Sequence, residues 1–437
     1  MGAARTALLG LCFASIACGT PAPRGPSPGT PLASDLLASL QERTARARER
    51  SFLRPVDAYA VRPDQVPALL QRELDRLVSP AQFQHEQALL QALGLLPPQV
   101  DLRKAVLRLQ SGALAGFYTP VADRLYIVLD TAGSVLTRDG PLAEVLVHEL
   151  AHALQAQHSH LLEVGLGIES DQDLAFALGA LLEGDAVLTE LRDAQRSFHE
   201  PIPDAAGFRL LFREELDLPD LEAAPRWVRE TLLGQYPSGY ALVTQLVRRG
   251  GMPALDAAWS DPPLSSEELL HPRRYLDRSL RRPLRDLRAD AARFAPDGGC
   301  GVVAQGSYGE LGLRVWAAER GASGERAAAA ADGWDGDRAW LLRCPGGPAL
   351  AWVIHFDTLA EAREFARLAG GLAAEGEGGK VRRVDRSGVR VLLSSGLRAA
   401  GRTWLLEAHA GRLYTDLSTW LESHPEVRER ARSLRGR

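Results

Sequence analysis

The sequence lacks the features that mark several common classes of protein. With 51 basic and 55 acidic residues, the chain has a formal net charge of −4 and no basic excess. This argues against nucleic acid as a partner, because phosphate binding needs a clearly basic surface. No segment of about 20 to 50 residues repeats, which argues against a solenoid. Cysteine is scarce, with four residues in the whole chain.

The composition is that of a globular protein with a sizeable core. Hydrophobic residues make up 46% and charged residues 24% of the chain, and its 437 residues exceed the length of one typical domain. We therefore predict two domains, at 35–295 and 300–437. In the second, the strand-like runs PALAWVIHF, GVRVLLSS and RTWLLEAHA surround a helix near 359–374, which indicates a smaller α+β domain.

The N-terminus is typical of an export signal. A basic residue precedes an apolar run at 7–17, which is too short to cross a bilayer but has the length of a signal-peptide core. The segment ASIAC resembles a bacterial lipobox, in which Cys18 is lipidated, although Ser15 stands where that pattern has Leu or Val. Residues 1–18 are thus a predicted signal peptide and 19–34 a Pro/Gly-rich tether. We expect a periplasmic or outer-membrane lipoprotein, with simple secretion as the alternative.

Cysteine usage agrees with export. Cys12 and Cys18 belong to the predicted leader, so only Cys300 and Cys344 remain for the folded part. In an oxidising compartment these two can pair and close a loop in the last third of the chain. Two buried free thiols are the alternative.

The segment VLVHELAHALQAQH, residues 145–158, carries the clearest candidate for chemistry. On a helix, His148 and His152 lie one above the other and direct two imidazoles to one point. Glu149 lies about 100° round the helix from His148, close enough to act on a water molecule at the same metal ion without binding the metal. A structural helix with satisfied histidines is the alternative.

A zinc hydrolase needs a third protein ligand, and two residues are candidates. Glu183, in ALGALLEGDAVLTE, can reach the ion from a second helix, and Gly184 beside it allows two helix backbones to approach closely. His158 stands where metzincins place their third histidine, but the helix-breaking glycine of that pattern is missing, so a continuing helix directs His158 away. Two acids are candidates to accept hydrogen bonds from the imidazole N–H groups: Asp185 and Asp173.

The motifs HELAH and EGDA together resemble the gluzincin group of zinc metallopeptidases. The order of GFYTPVADRLYIV, HELAHALQAQH, EGDA, YPSGYALV and LSSEELLHPRRYL is similar to a poorly characterised group of bacterial exported metallopeptidases. The resemblance spans roughly 50–280 and implies an α+β fold class, with a mainly helical zincin-like domain that has a small edge-strand sheet. It also implies one Zn2+ ion on His148, His152 and Glu183. Many gluzincins have an Asp four residues after the ligand Glu, where this chain has Val187.

The predicted function is zinc-dependent hydrolysis of a peptide or protein substrate in the cell envelope. Glu149 is the expected base, and the strand RLYIV is expected to pair an extended substrate along its edge. For the oxyanion donor we favour His271 over three alternatives: Tyr236, Tyr240 and Tyr275. An inactive envelope binding protein that acts through 300–437 is the competing hypothesis. Glu149 favours the enzyme, because a structural zinc site needs no base.

Overall fold

The structure is a computed structural model that describes residues 29–112, 115–129, 141–199, 201–215, 223–288, 299–375, 381–407 and 411–435. The predicted leader, the lipidation site at Cys18 and most of the predicted tether lie outside these residues. Within the described ranges, no helix is both long and apolar enough to pass through a bilayer. The fold is mixed α+β, as the sequence predicts, and helices predominate.

The first part of the chain is mainly helical and contains the two long helices of the predicted metal site. The helices are α1 (Ser34–Arg48), α2 (Val66–Leu77), α3 (Pro80–Leu93), α4 (Leu102–Gly112), α5 (Pro141–His158), α6 (Leu161–Gly167), α7 (Gln172–Phe198), α8 (Ala205–Glu215), α9 (Arg226–Leu232), α10 (Gln235–Ser260), α11 (Ser266–Leu270) and α12 (Pro272–Leu276), with a 3-10 turn at Pro63–Gln65. Helix α7 starts where it does because the Asp171 side chain accepts a hydrogen bond from the Leu174 N–H at 3.1 Å.

A small four-stranded sheet lies beside α5. Its strands are β1 (Thr30–Pro31), β2 (Asp57–Val61), β3 (Gly116–Thr119) and β4 (Arg124–Val128), in the order β1-β2-β4-β3. β2 and β4 are parallel, whereas β3 and β4 form an antiparallel hairpin. The expectation that RLYIV offers a free edge is wrong, because this segment is β4 and is paired on both sides. The edge strand nearest α5 is β3.

Two glycines bring α7 and α10 into close backbone contact. A Cβ atom at Gly184 would collide with the backbone of Gly239, and a Cβ atom at Gly239 would collide with the carbonyl oxygen of Ala180. The close approach predicted at Gly184 therefore exists, but its partner is α10 and not the HELAH helix. Helix α10 bends further on, at Gly250 and Gly251.

The C-terminal part contains an antiparallel five-stranded sheet with the order β6-β7-β8-β10-β9. The strands after α12 are β5 (Leu284–Asp286), β6 (Gly301–Gly306), β7 (Trp334–Cys344), β8 (Gly347–Phe356), β9 (Arg383–Ser387), β10 (Arg390–Ser395) and β11 (Arg412–Tyr414). The helices are α13 (Gly309–Glu319), α14 (Gly324–Ala331), α15 (Leu359–Glu375), α16 (Ala399–Glu407), α17 (Leu417–Glu422) and α18 (Pro425–Arg435). The strand predicted for RTWLLEAHA is wrong, since its described residues belong to α16.

The hydrophobic core crosses the predicted domain boundary at 295–300. One cluster of buried apolar side chains extends from Leu40 in α1 to Leu434 in α18. The Trp316 indole N–H donates to the carbonyl of Leu93 at 3.1 Å, β11 pairs with β5, and α18 packs on α6. The chain is mainly helical before this boundary and mixed α/β after it, but the buried apolar side chains on the two sides form one continuous cluster.

A disulfide joins Cys300 and Cys344, at the two outer ends of the paired strands β6 and β7. The cysteines are 44 residues apart in sequence. In the chain-entropy model, closing a loop of this length stabilises the folded state by about 4 kcal/mol.

We expect the double variant Cys300→Ser, Cys344→Ser to unfold at a lower urea concentration than the oxidised wild type, because its unfolded chain is less constrained. Dithiothreitol should lower the wild-type midpoint towards that of the variant and leave the variant unchanged. Equal midpoints for the oxidised wild type and the variant would contradict this role of the disulfide.

Candidate metal centre

Helices α5 and α7 bring His148, His152 and Glu183 together. The two Nε2 atoms are 3.2 Å apart, and Glu183 Oε2 lies 3.4 Å from His148 Nε2 and 3.5 Å from His152 Nε2. In a tetrahedral zinc site with bonds of about 2.1 Å, neighbouring ligand atoms lie about 3.4 Å apart. The three donor atoms therefore fit three corners of a zinc tetrahedron.

Hydrogen bonds to the outer ring nitrogens fix both imidazoles. His148 Nδ1 lies 3.0 Å from Glu190 Oε2, and His152 Nδ1 lies 2.9 Å from Gln155 Oε1. Both partners are acceptors, so each Nδ1 carries a proton, and each Nε2 faces Glu183, where it can bind either a second proton or a metal ion. Three electron-pair donors facing one another repel unless a cation lies between them. The chemistry of the donor set therefore fits a metal ion.

The pKa values of His148 and Glu183 also indicate that the centre favours positive charge. Burial opposes a charge on His148, but hydrogen bonds to Glu183 and Glu190 outweigh burial and raise its pKa to about 10. Burial also opposes a charge on Glu183, but the positive His152 and the hydrogen bonds to both imidazoles lower its pKa to about 2. The carboxylate is thus held ionised, and the surrounding acids favour positive charge at the centre.

Glu149 has the position expected of a base. It is fully buried, and its Oε2 accepts a hydrogen bond from the backbone N–H of Tyr118 in β3 at 2.6 Å. Its Oε1 has no hydrogen-bond partner among the described residues. Burial raises the pKa of Glu149. One oxygen is therefore fixed by the sheet edge while the other is available to a reacting molecule.

The predicted acceptors for the imidazole N–H groups are wrong. Asp185 Oδ1 lies 2.7 Å from Arg48 Nε, and its Oδ2 accepts a hydrogen bond from the Trp259 indole at 3.1 Å. Asp173 accepts a hydrogen bond from the Ser266 N–H at 2.9 Å. It stands ten residues before Glu183 in α7 and therefore about 15 Å away along the helix axis. Neither acid faces the imidazoles.

The residues that do accept hydrogen bonds from the imidazoles, Glu190 and Gln155, have sequence spacings from which they could be predicted. Glu190 follows Glu183 by seven residues, which is about two helical turns and places both on the same face of α7. Gln155 follows His152 by three residues on α5, a spacing that brings side chains together. Gln155 also donates to the carbonyl of Leu182 at 2.9 Å, so it ties α5 to the turn before the carboxylate ligand.

His158 does not join the metal centre. Helix α5 continues unbroken to His158, whose Nε2 lies 2.8 Å from the carbonyl oxygen of Ser51. The metzincin-like alternative therefore has no support. Because the helix-breaking glycine is missing, α5 continues to His158 and directs this side chain away from the centre.

His271 faces the C-terminal part of the protein and not the metal centre, which corrects its predicted role. Its Nε2 lies 3.0 Å from Glu310 Oε1, 3.6 Å from Asp332 Oδ1 and 3.4 Å from the Arg314 guanidinium. His271, Glu310 and Asp332 also cluster like a metal site. The guanidiniums of Arg314 and Arg274 already pair with the two carboxylates, so the group has its own cations.

Tyr236 is the tyrosine that contacts the centre. Its ring stacks on that of His148, with centroids 6.2 Å apart and planes 24° apart. The hydroxyls of the other two candidates bond elsewhere, that of Tyr240 to the carbonyl of Pro203 and that of Tyr275 to the carbonyl of Asp261, each at 2.7 Å. Tyr236 is thus the candidate tyrosine whose ring lies against a predicted metal ligand.

Comparison with known proteins concerns only the C-terminal part. Residues 300–409, about a quarter of the chain, match the family model of a domain of unknown function, DUF8575. No curated protein and no solved structure matches the chain. The residues of the candidate metal centre lie outside the matched segment.

We expect Glu190→Gln to weaken zinc binding about tenfold, because the amide keeps an acceptor for the His148 N–H but removes the charge that raises the basicity of the imidazole. Competition with a chelator of known affinity measures the change. Asp173→Asn, at the start of the same helix, is the control and should bind zinc as the wild type does. An unchanged affinity in Glu190→Gln, or an equal loss in both variants, would contradict the assignment.

Proposed function

We propose that the protein is a zinc-dependent metallopeptidase of the cell envelope, exported by its N-terminal segment, that hydrolyses peptide bonds. The observation that carries this proposal is the set of distances of 3.2, 3.4 and 3.5 Å between the donor atoms of His148, His152 and Glu183. The adjacent buried Glu149 supplies a base. The zincin fold named from the sequence motifs remains part of the proposal.

Each residue has a distinct task in this hydrolysis. His148, His152 and Glu183 hold the zinc ion, which when bound supplies a Lewis acid that lowers the pKa of water and polarises a peptide carbonyl. Glu149 accepts a proton from the attacking water through Oε1, while the Tyr118 N–H keeps the carboxylate in place. The proton then passes from Glu149 to the leaving amine, which restores the base.

Tyr236 is proposed to stabilise the oxyanion that develops on the carbonyl oxygen. Its ring lies against His148, so its side chain lies beside the candidate metal centre. A phenol donor in a buried site stabilises developing negative charge more strongly than the same group does in water.

The edge strand β3 is proposed to bind the substrate backbone. β3 lies next to α5, and a Cβ atom at Gly116 would stand 3.1 Å from Val145 Cγ1 on that helix. Pairing of an extended peptide with a sheet edge uses main-chain groups and tolerates many sequences. This mode suits an endopeptidase that acts on unfolded or extended segments.

A hydrolase accounts for the centre better than a structural zinc site does. A closed structural site has four protein ligands, and three donor groups converge here among the described residues. A buried carboxylate with one unbonded oxygen is destabilising, so Glu149 is hard to explain in a protein that only binds a partner. The inactive binding protein remains the competing hypothesis, and metal content with activity discriminates between the two.

We expect about one zinc ion per chain in the purified wild type and in Glu149→Gln, and little zinc in Glu183→Ala, because only the last variant removes a ligand. Hydrolysis of an unfolded protein should fall at least about 100-fold in Glu149→Gln, because the base is lost. Elemental analysis and a casein assay measure the two effects. His158→Ala is the control and should keep both zinc and activity. Zinc that survives Glu183→Ala but not His158→Ala would move the third ligand to His158.

We expect Tyr236→Phe to lower kcat about 100-fold with little change in KM and in zinc content, because the lost hydroxyl acts on the transition state. Tyr275→Phe removes a hydroxyl that bonds to the backbone elsewhere and should keep kcat. Steady-state kinetics on a fluorogenic peptide test this pair, and equal effects of the two variants would remove the assigned role from Tyr236.

A further inference from the structure

The candidate metal centre is closed to solvent in this structure. His148, Glu149 and His152 have no exposed surface, and Glu183 is 2% exposed. A polypeptide must bring its scissile carbonyl to within about 3 Å of the reacting groups. If the centre hydrolyses peptides, an element that covers it has to move.

A column of aromatic rings leads from the metal centre to the helix α8. Tyr236 stacks on His148, and Phe212 stacks on Tyr236 with centroids 5.4 Å apart and planes 25° apart. Phe208 continues the column, 5.7 Å from Phe212 and again at 25°. Phe208 and Phe212 are four residues apart on α8 and so share its inner face. On this side of His148, the rings beyond Tyr236 therefore belong to a single short helix.

The described contacts of helix α8 with its neighbours are mainly aromatic and apolar. Its main packing partner is α10, and its inner face contributes the buried rings of Phe208 and Phe212. Its outer face leaves Leu210 61% and Leu211 49% exposed. The segment that leads into it is attached to α10 by the hydrogen bond from the Tyr240 hydroxyl to the carbonyl of Pro203.

Three other described neighbours of the centre are fixed by buried polar contacts or by backbone packing. Helix α1 is joined to α7 by the ion pairs Arg43–Asp193, at 2.6 Å, and Arg48–Asp185, at 2.7 Å. Helix α10 is locked to α7 by the glycine contact at Gly184. Strand β3 is paired within the sheet and donates to Glu149. Moving any of these breaks buried polar bonds or backbone packing, whereas moving α8 separates mainly aromatic faces.

We propose that α8 is a lid over Tyr236 and His148. It swings away from α10, which frees the Tyr236 side chain to turn off the His148 ring and admit a polypeptide, and it closes again over the bound segment. The proposal rests on the proposed function, because only a catalytic centre needs this access. The stack of Phe212 on Tyr236 is the contact that holds α8 closed, and we call it the latch. Closure would also exclude bulk water from the space around Glu149 and Tyr236, which strengthens both interactions during reaction.

Hydrogen–deuterium exchange of the wild-type full-length protein tests the lid without any catalysis. We expect amides in α8 to exchange at least about 100-fold faster than those in α5 and α7, because local opening needs less free energy than unfolding of the core. Protection of α8 equal to that of α5 would overturn the proposal. This measurement is valid even if the protein binds no zinc, a result that would instead contradict the proposed function.

Access to the metal provides the second test. In zinc-loaded protein, Phe212→Ala should speed the removal of zinc by EDTA about tenfold or more, because the open state gains population when the latch ring is lost. Leu211→Ala, on the exposed face of the same helix, should release zinc at the wild-type rate. Unchanged exchange protection in α5 and α7 of Phe212→Ala would exclude general unfolding as the cause. Equal release rates in all three proteins would overturn the lid.

Discussion

The meeting of two imidazoles and one carboxylate in a solvent-free space is the constraint on which the rest of the structure depends. Three donor atoms within 3.5 Å of one another, next to the carboxylates of Glu149 and Glu190, form a buried group that attracts positive charge, either as protons on the imidazoles or as a metal ion. Such a group is destabilising unless a cation neutralises it or its geometry is enforced from outside. The surrounding fold supplies that enforcement, and the enforced geometry has the dimensions of a zinc site.

Helix α7 is held in place by contacts on several of its faces. Gly184 allows backbone contact with α10, Asp185 and Asp193 take the buried arginines of α1, and the carbonyl of Leu182 receives the amide of Gln155 from α5. These contacts fall within a few turns of Glu183. The EGDA motif thus combines a candidate ligand, a packing position and an anchor for Arg48 in consecutive residues.

Local spacing allows the candidate ligands to be predicted from the sequence, whereas the residues that support them are set by long-range packing. The four-residue interval between His148 and His152 fixes their relation on any helix, and a nearby glutamate on a second helix completes a zinc set. By contrast, the partner of Asp185 is set by α1, more than a hundred residues away in sequence, and no local pattern contains that information. His271 failed as a candidate for the same reason, since its neighbours belong to the C-terminal part. The pairing of β4 on both sides and the helical state of RTWLLEAHA likewise depend on tertiary contacts that override short-range patterns.

The C-terminal part acts on the same helix from its other end. The Arg338 guanidinium donates to the carbonyl of Ser170 at 2.8 Å, and Gln172 at the start of α7 donates to the carbonyl of Ser307 at 2.9 Å. Arg338 is fully buried, and burial lowers its pKa. Removing this guanidinium from water costs desolvation free energy, which the contacts with α7 help to offset. The segment that matches DUF8575 therefore clamps the N-terminal end of α7, while α1 and α10 fix its middle. If α8 opens as proposed, a rigid α7 would keep the candidate metal ligands in place, because α8 packs mainly on α10 and not on the faces of α7 that α1 and the C-terminal part hold.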